Sequence, residues 1–171
     1  MKELALHILD VAENGIAAGA DRISITVDEA RSKNRLTITI ADNGRGIPPD
    51  VRSRVTDPFY TTRKTRRVGL GLSLLENAAS RCDGSMQIVS DPGQGTRITA
   101  DFAHGHIDRA PLGDMAGTLM ALIFGNPEID FTYHHRIDDA EIMIDTRAIK
   151  RAFGNRPVTD PTPPVPPPRA R

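Results

Sequence analysis

Asp42-Asn43-Gly44-Arg45-Gly46-Ile47-Pro48 follows directly on a segment in which Leu36, Ile38 and Ile40 alternate with Thr37 and Thr39. Such alternation reads as a half-buried strand, so a strand end delivers the Asp42 carboxylate to a glycine-rich loop. Gly44 and Gly46 let the backbone pass close to a flat ligand. Asp42 is then placed to accept a hydrogen bond from an exocyclic amine such as that of adenine. Asn-Gly is also an ordinary hairpin sequence, but two glycines and a proline in seven residues exceed what a hairpin needs. Upstream, Ile23, Ile25 and Val27 alternate through a second strand from Arg22 to Asp28, joined to the first by the polar turn Ala30 to Asn34.

Further upstream, Glu3 to Ala18 repeats at helical spacing. Leu4, Ile8, Val11 and Ala12 form an apolar face, while Glu3, His7, Asp10 and Asn14 share another. The i, i+4 step sets the Asp10 carboxylate beside the Asn14 amide. An amide oxygen is a neutral hard ligand suited to Mg²⁺, and a carboxylate one turn away can orient or deprotonate a hydroxyl or water. Solvated helices carry the same residue types, so this pair does not decide the matter alone.

Downstream, Pro49 starts a short helix to Val55, and Asp57-Pro-Phe59-Tyr-Thr61-Thr62 leads into Arg63-Lys64-Thr65-Arg66-Arg67. Gly69-Leu70-Gly71-Leu72 then opens a helix running to Arg81. Glycines at a helix start present free backbone N–H groups at its positive end, a ready phosphate site. The basic run can close over such an anion, although charged loops are commonly only solvated. Ser85 to Ser90 and Thr96 to Phe102 read as a second strand pair around a turn holding Gly93-Gln94-Gly95. No Gly-x4-Gly-Lys-[Ser/Thr] loop occurs, and Gly69-Leu70-Gly71 lacks the third glycine of a dinucleotide fingerprint.

In this order the segments resemble the nucleotide-binding boxes of the gyrase, heat-shock chaperone, histidine kinase and mismatch-repair ATPase superfamily. Asp10 to Asn14 is similar to the asparagine box, Asp42 to Gly46 to the first glycine box, and Phe59 to the phenylalanine box. Gly69 to Gly71 is similar to the second glycine box and Gly93 to Thr96 to the third. The resemblance covers about residues 3 to 103. It implies an α+β fold, a two-layer α/β sandwich of the Bergerat type with a mixed sheet and helices on one face.

It also implies ATP and Mg²⁺ as cofactors. Asn14 would hold the metal, Asp42 would read adenine with support from Thr96, and Gly44, Gly46 and Ile47 would line the base. The basic segment with Arg63 and Lys64 would cap the triphosphate, and Phe59, Thr61, Thr62, Gly69, Leu70, Gly71 and Leu72 are further nucleotide-binding residues. Asp10 stands where hydrolysing relatives and serine kinases place a glutamate, which makes it the candidate catalytic residue. A carboxylate there suits a hydroxyl or water acceptor better than an imidazole, which is nucleophilic without losing a proton. The short segment from Phe59 to Gly69 looks closest to histidine kinases and anti-sigma serine kinases.

The chain has 171 residues, with Lys+Arg 22 against Asp+Glu 22. Net neutrality argues against nucleic acid as a partner, and no apolar run reaches the roughly 20 residues of a membrane helix. Cys82 is the single cysteine, which excludes a disulfide framework and fits a reducing, cytoplasmic setting. The expected organisation is an ATP-binding domain over 1–103, a small α/β appendage over 104–156 and a proline-rich disordered tail over 157–171.

In the appendage, Leu112 to Phe124 reads as an apolar helix, Glu128 to Tyr133 and Glu141 to Asp145 as strands, and Thr146 to Phe153 as a short helix. Residues Leu112 to Gly154 resemble the tail of small stand-alone proteins encoded beside iron-only hydrogenases. His104, His106, His134 and His135 fall at no familiar ligand spacing. Only nine residues precede Asp10, so the phosphoryl acceptor is expected on another chain, an unidentified protein partner, with a homodimer as a further expectation. The expected activity is phosphorylation or sequestration of that partner, the alternative being a non-catalytic ATP-dependent sensor.

Overall fold

Nine residues of alternating burial, Arg22–Ala30 (β1), set the middle of the molecule, with Ile23, Ile25 and Val27 buried on one side. The computed structural model describes residues 2–52 and 70–152. A 3-10 turn at Arg31–Lys33, closed by Asn34 in the left-handed region at φ 49°, reverses the chain into Arg35–Asp42 (β2). The two strands pair antiparallel with Ile25 opposite Ile40 and Val27 opposite Ile38. β-Branched residues on a pleated, half-buried surface favour this arrangement. Met86–Asp91 (β3) and Gly95–Ala103 (β4) form the second hairpin, and β4 lies antiparallel against β2.

The C-terminal segment read from the sequence as an appendage adds its strands to this same sheet. Asp130–Ile137 (β5) runs parallel to β1, and Ala140–Asp145 (β6) pairs antiparallel with β5. The strand order is β3-β4-β2-β1-β5-β6, a mixed six-stranded sheet. Phe131 lies opposite Ile23 and Tyr133 opposite Ile25, so the apolar face continues without a break across the new strand. Sequence periodicity located the two strands, but a pairing more than a hundred residues apart leaves no local trace.

Leu4–Ala17 (α1), Leu70–Ser80 (α3) and Met115–Gly125 (α4) pack on the apolar face, and Leu4, Ile8, Leu75, Leu119 and Leu122 join the sheet residues in one core. Pro49–Arg52 (α2) and Thr146–Ala152 (α5) are short. Phe102 and Phe131, both 2% exposed, are among the largest side chains in that core. Burying each contributes roughly 1.5–3 kcal/mol. The result is the α+β two-layer sandwich expected from the sequence.

Several boundaries move for identifiable reasons. α4 begins at Met115 rather than Leu112, because Asp114 is the N-cap and accepts the Gly117 N–H at 2.8 Å. The preceding residues are used elsewhere: the Pro111 and Leu112 carbonyls accept the N–H groups of Leu4 and Ala5 at 3.0 and 2.8 Å. The first turn of α1 lacks a side-chain cap, so this strap of backbone satisfies amides that would otherwise be orphaned. His7, on the same face of α1 as Asp10, is buried at 3% exposure, and its Nδ1 has no hydrogen-bond partner among the described residues. Burial holds its imidazole below the ordinary 6.5; the chain's amino terminus adds to that and Asp10 opposes it.

Candidate functional site

The register of the sheet assembles one end of the site. Asp42 at the end of β2 lies opposite Thr96 on β4, and Thr96 lies opposite Ser90 on β3. Directly paired residues share a face with Cβ atoms about 4.5–5.5 Å apart, so Ser90, Thr96 and Asp42 form a row at the helix-covered side. Gly15 of α1 sits against this row: a Cβ there would meet Asp42 Cβ at 2.8 Å and its Cγ at 3.1 Å. Glycine in a helix interior costs about 1 kcal/mol relative to alanine, and here it provides the room for a half-buried carboxylate. Gly15 was not singled out in the sequence; the signal was a glycine mid-helix, directly after Asn14.

Asp42 Oδ1 accepts the Gly44 N–H at 2.9 Å. Burial pushes its carboxyl above the ordinary 3.8, and the Gly44 and Thr96 backbone amides pull against that shift. The glycine loop is fastened on both sides. Asn43 Oδ1 accepts the Asp21 and Arg22 N–H groups at 3.1 and 2.9 Å, while its Nδ2 donates to Asp21 Oδ1 at 2.6 Å. Arg45 N–H donates to Ala18 O at 3.0 Å, and Gly93 N–H donates to Arg45 O at 2.8 Å. Asn43 is therefore a structural anchor, and the first and third glycine segments are bonded to each other. Gly46, at φ +70°, passes so close to β3 that a Cβ would meet Asp91 O at 2.1 Å. Only glycine meets both requirements.

Ser90 is a second residue that the sequence reading passed over. It is 2% exposed, accepts the Ile47 N–H at 2.8 Å, donates to Gly95 O at 2.9 Å and lies 2.9 Å from Thr96 Oγ1. A lone serine at a strand end gives no pattern that would mark it.

The other end of the site is where α3 begins. A Cβ on Gly71 would meet Asp10 Cβ at 3.3 Å, so the start of α3 lies against Asp10 on α1. Asn14 is exposed one turn further along α1. Asp10 and Gly15 are separated by about 7.5 Å of helix axis, so α1 touches both the Asp42 row and the start of α3. Leu72 is half-buried against the core, Gly44 is buried, and Gly46 and Ile47 are half-buried. Leu70 opens α3. Phe59, Thr61, Thr62, Arg63, Lys64 and Gly69 lie outside the described residues, as does the proline-rich tail. His104 and His135 engage a carboxylate: their Nε2 atoms lie 2.9 and 2.8 Å from the two oxygens of Glu29.

The family model described as "Histidine kinase-, DNA gyrase B-, and HSP90-like ATPase" matches residues 2–105. The chain belongs to this ATPase family. Among curated relatives, a Shewanella frigidimarina protein whose name marks it as a sensor is 39% identical over 104 residues, 60% of this chain and 16% of that protein. Sporulation kinase C of Bacillus subtilis is 30% identical over 55% of this chain and 22% of its own. Sensor histidine kinase ZraS of Salmonella typhi is 33% identical over 54% of this chain and 20% of its own. The chain thus spans about a fifth of the length of these relatives.

A crystal structure of the N-terminal domain of a DNA repair protein superposes with TM-score 0.62 at 15% identity, covering 84% of this chain and 52% of that one. Its fold alone is shared, and a share that large extends past residue 105. ATP binding and kinase-like character go with the family. Among the described residues, no helix is long and apolar enough to cross a membrane.

Proposed function

We propose that the chain binds ATP with Mg²⁺ and phosphorylates, or sequesters, a separate protein partner. The observation that carries this reading is the pairing of Gly15 with Asp42. A carboxylate raised by burial, and given room by a helix glycine, suits an amine donor better than it serves the fold. Asp42 would accept from the adenine amine, with Thr96 beside it. Gly44, Gly46 and Ile47 would line the base, and Leu72 would pack behind it. Asn14, exposed on α1, would be the neutral oxygen donor to the metal. The start of α3 at Gly71 lies against Asp10, and its free N–H groups would meet the phosphates. Phe59, Thr61, Thr62, Arg63, Lys64 and Gly69 are assigned to the same end on sequence grounds.

The bound ATP and metal supply the phosphoryl group and neutralise its charge. Asp10 is the carboxylate placed to take the proton that an attacking hydroxyl or water gives up. A hydroxyl acceptor makes this a serine or threonine kinase, and water makes it a slow ATPase. A cytoplasmic setting, where ATP is available, goes with this reading. A non-catalytic sensor is the second reading, favoured by the strap of Pro111 and Leu112 on the first turn of α1. That strap links the C-terminal strands to the helix that holds the site.

Incubation with γ-labelled ATP and candidate partners separates the two. Transfer of label to a partner, or release of phosphate, with Asp10→Asn losing turnover but keeping ATP affinity, supports the catalytic reading. ATP binding without ADP formation refutes it.

A further inference from the structure

The Ser90 hydroxyl has a single proton and, among the described residues, meets Ile47, Gly95 and Thr96. Its oxygen accepts from Ile47 N–H at 2.8 Å, its proton is directed at Gly95 O at 2.9 Å, and Thr96 Oγ1 lies 2.9 Å away. A hydroxyl carries one donor and two acceptor positions. With the Ser90 proton given to Gly95, the Ser90–Thr96 contact is a hydrogen bond only if Thr96 donates. Thr96 then faces the site with lone pairs alone, next to the Asp42 carboxylate on the adjoining strand. Among the described residues, this wall of the site therefore offers two acceptors side by side, the Asp42 carboxylate and the Thr96 hydroxyl oxygen.

We infer that Ser90 is the positioning residue that sets base selectivity here, by holding the Thr96 hydroxyl as an acceptor facing the 6-position of a bound purine. The inference rests on the reading of Asp42 as the base-recognising residue. A 6-amino group has two protons, one for each acceptor. A 6-oxo group brings a third acceptor against these two, and with only the neighbouring N1–H left to donate, the 6-oxygen and at least one wall acceptor lose their hydrogen bonds on desolvation. Ser90 itself touches no ligand. At 2% exposure it lies behind Thr96, between the first and third glycine segments.

Removing the Ser90 oxygen frees the Thr96 proton to rotate toward the ligand, where it can serve a 6-oxo group. The expected signature is a change in selectivity and not merely in affinity. Titration calorimetry with ATP and with inosine triphosphate, on the whole chain, gives the dissociation constant for inosine triphosphate divided by that for ATP. The wild-type protein should favour ATP, and Ser90→Ala should lower that ratio about tenfold, the worth of one neutral hydrogen bond. Ser90→Thr, which keeps the hydroxyl, should restore it.

Thr96→Val removes the acceptor directly and should lower the ratio independently of how Ser90→Ala folds, while Thr96→Ser should keep it. In the Thr96→Val background, Ser90→Ala should change the ratio no further. A wild-type ratio in folded Ser90→Ala overturns the role of Ser90 and leaves ATP binding standing. Equal effects of Ser90→Ala with and without the Thr96 hydroxyl overturn it as well, since a structural role predicts that result. Failure of the wild-type protein to bind ATP at all overturns the reading of Asp42 and this inference with it.

Discussion

Gly15→Ala separates the needs of the fold from those of the site. The added Cβ would stand 2.8 Å from Asp42 Cβ and 3.3 Å from Oδ2. Ordinary contact begins near 3.4 Å, and Cβ is fixed to the backbone, so the end of β2 or α1 must give by several tenths of an ångström. Alanine contributes about 1 kcal/mol of helix propensity, and overpacking costs about 1–3 kcal/mol. Net stability should therefore fall by no more than about 2 kcal/mol. Affinity should suffer more, because a hydrogen bond to a charged group is worth about 1.5–3 kcal/mol, or roughly 10- to 150-fold. Equilibrium titration with ATP, alongside urea unfolding, reads the two effects separately. Wild-type affinity in Gly15→Ala would refute the claim that this glycine exists to admit Asp42.

Two further outcomes concern the C-terminal strands. Thr146, 1% exposed, accepts the Phe131 N–H at 2.8 Å, so Thr146→Val should cost about 1–3 kcal/mol by orphaning a buried donor, read as a lower urea midpoint. Burial lifts the Glu29 carboxyl, but the bonds from His104 and His135 draw it lower, leaving it net below its ordinary 4.5. A carboxylate depressed on folding adds stability above its unfolded value and loses it as pH falls through the folded one. His135→Ala should accordingly destabilise the protein at pH 6, with the difference from wild type shrinking below about pH 4.5 in thermal melts.

Much of this was legible in the sequence because its signals are local. The alternation of Ile23, Ile25 and Val27 fixes β1, and that of Leu36, Ile38 and Ile40 fixes β2, each within about two residues of its observed ends. The glycine loop after Asp42 was read from composition, and Gly46 shows why glycine is required there. What the sequence hid is long-range. Nothing near Phe131 says that it will lie beside Ile23 in a parallel pair. Nothing near Leu112 says that its carbonyl will cap another helix, which is why the sequence starts α4 three residues early. Gly15 and Ser90 escaped for the same reason. Each is defined by what approaches it from another strand or helix, and neither has a motif of its own.

The central claim is that Asp42 serves a purine nucleotide and not the fold. Its carboxyl is raised by burial, so its charged form is a liability to folding: the stability it permits is greatest below the unfolded value and falls as pH rises through the folded one. Calorimetric titration of ATP against wild-type protein and Asp42→Asn, with the melting temperature of each, tests this most directly. The account predicts saturable binding by the wild type, and loss of binding in Asp42→Asn with a melting temperature equal to or above that of the wild type at pH 7. Equal ATP affinity in the two proteins, or a collapse in the stability of Asp42→Asn, would contradict it.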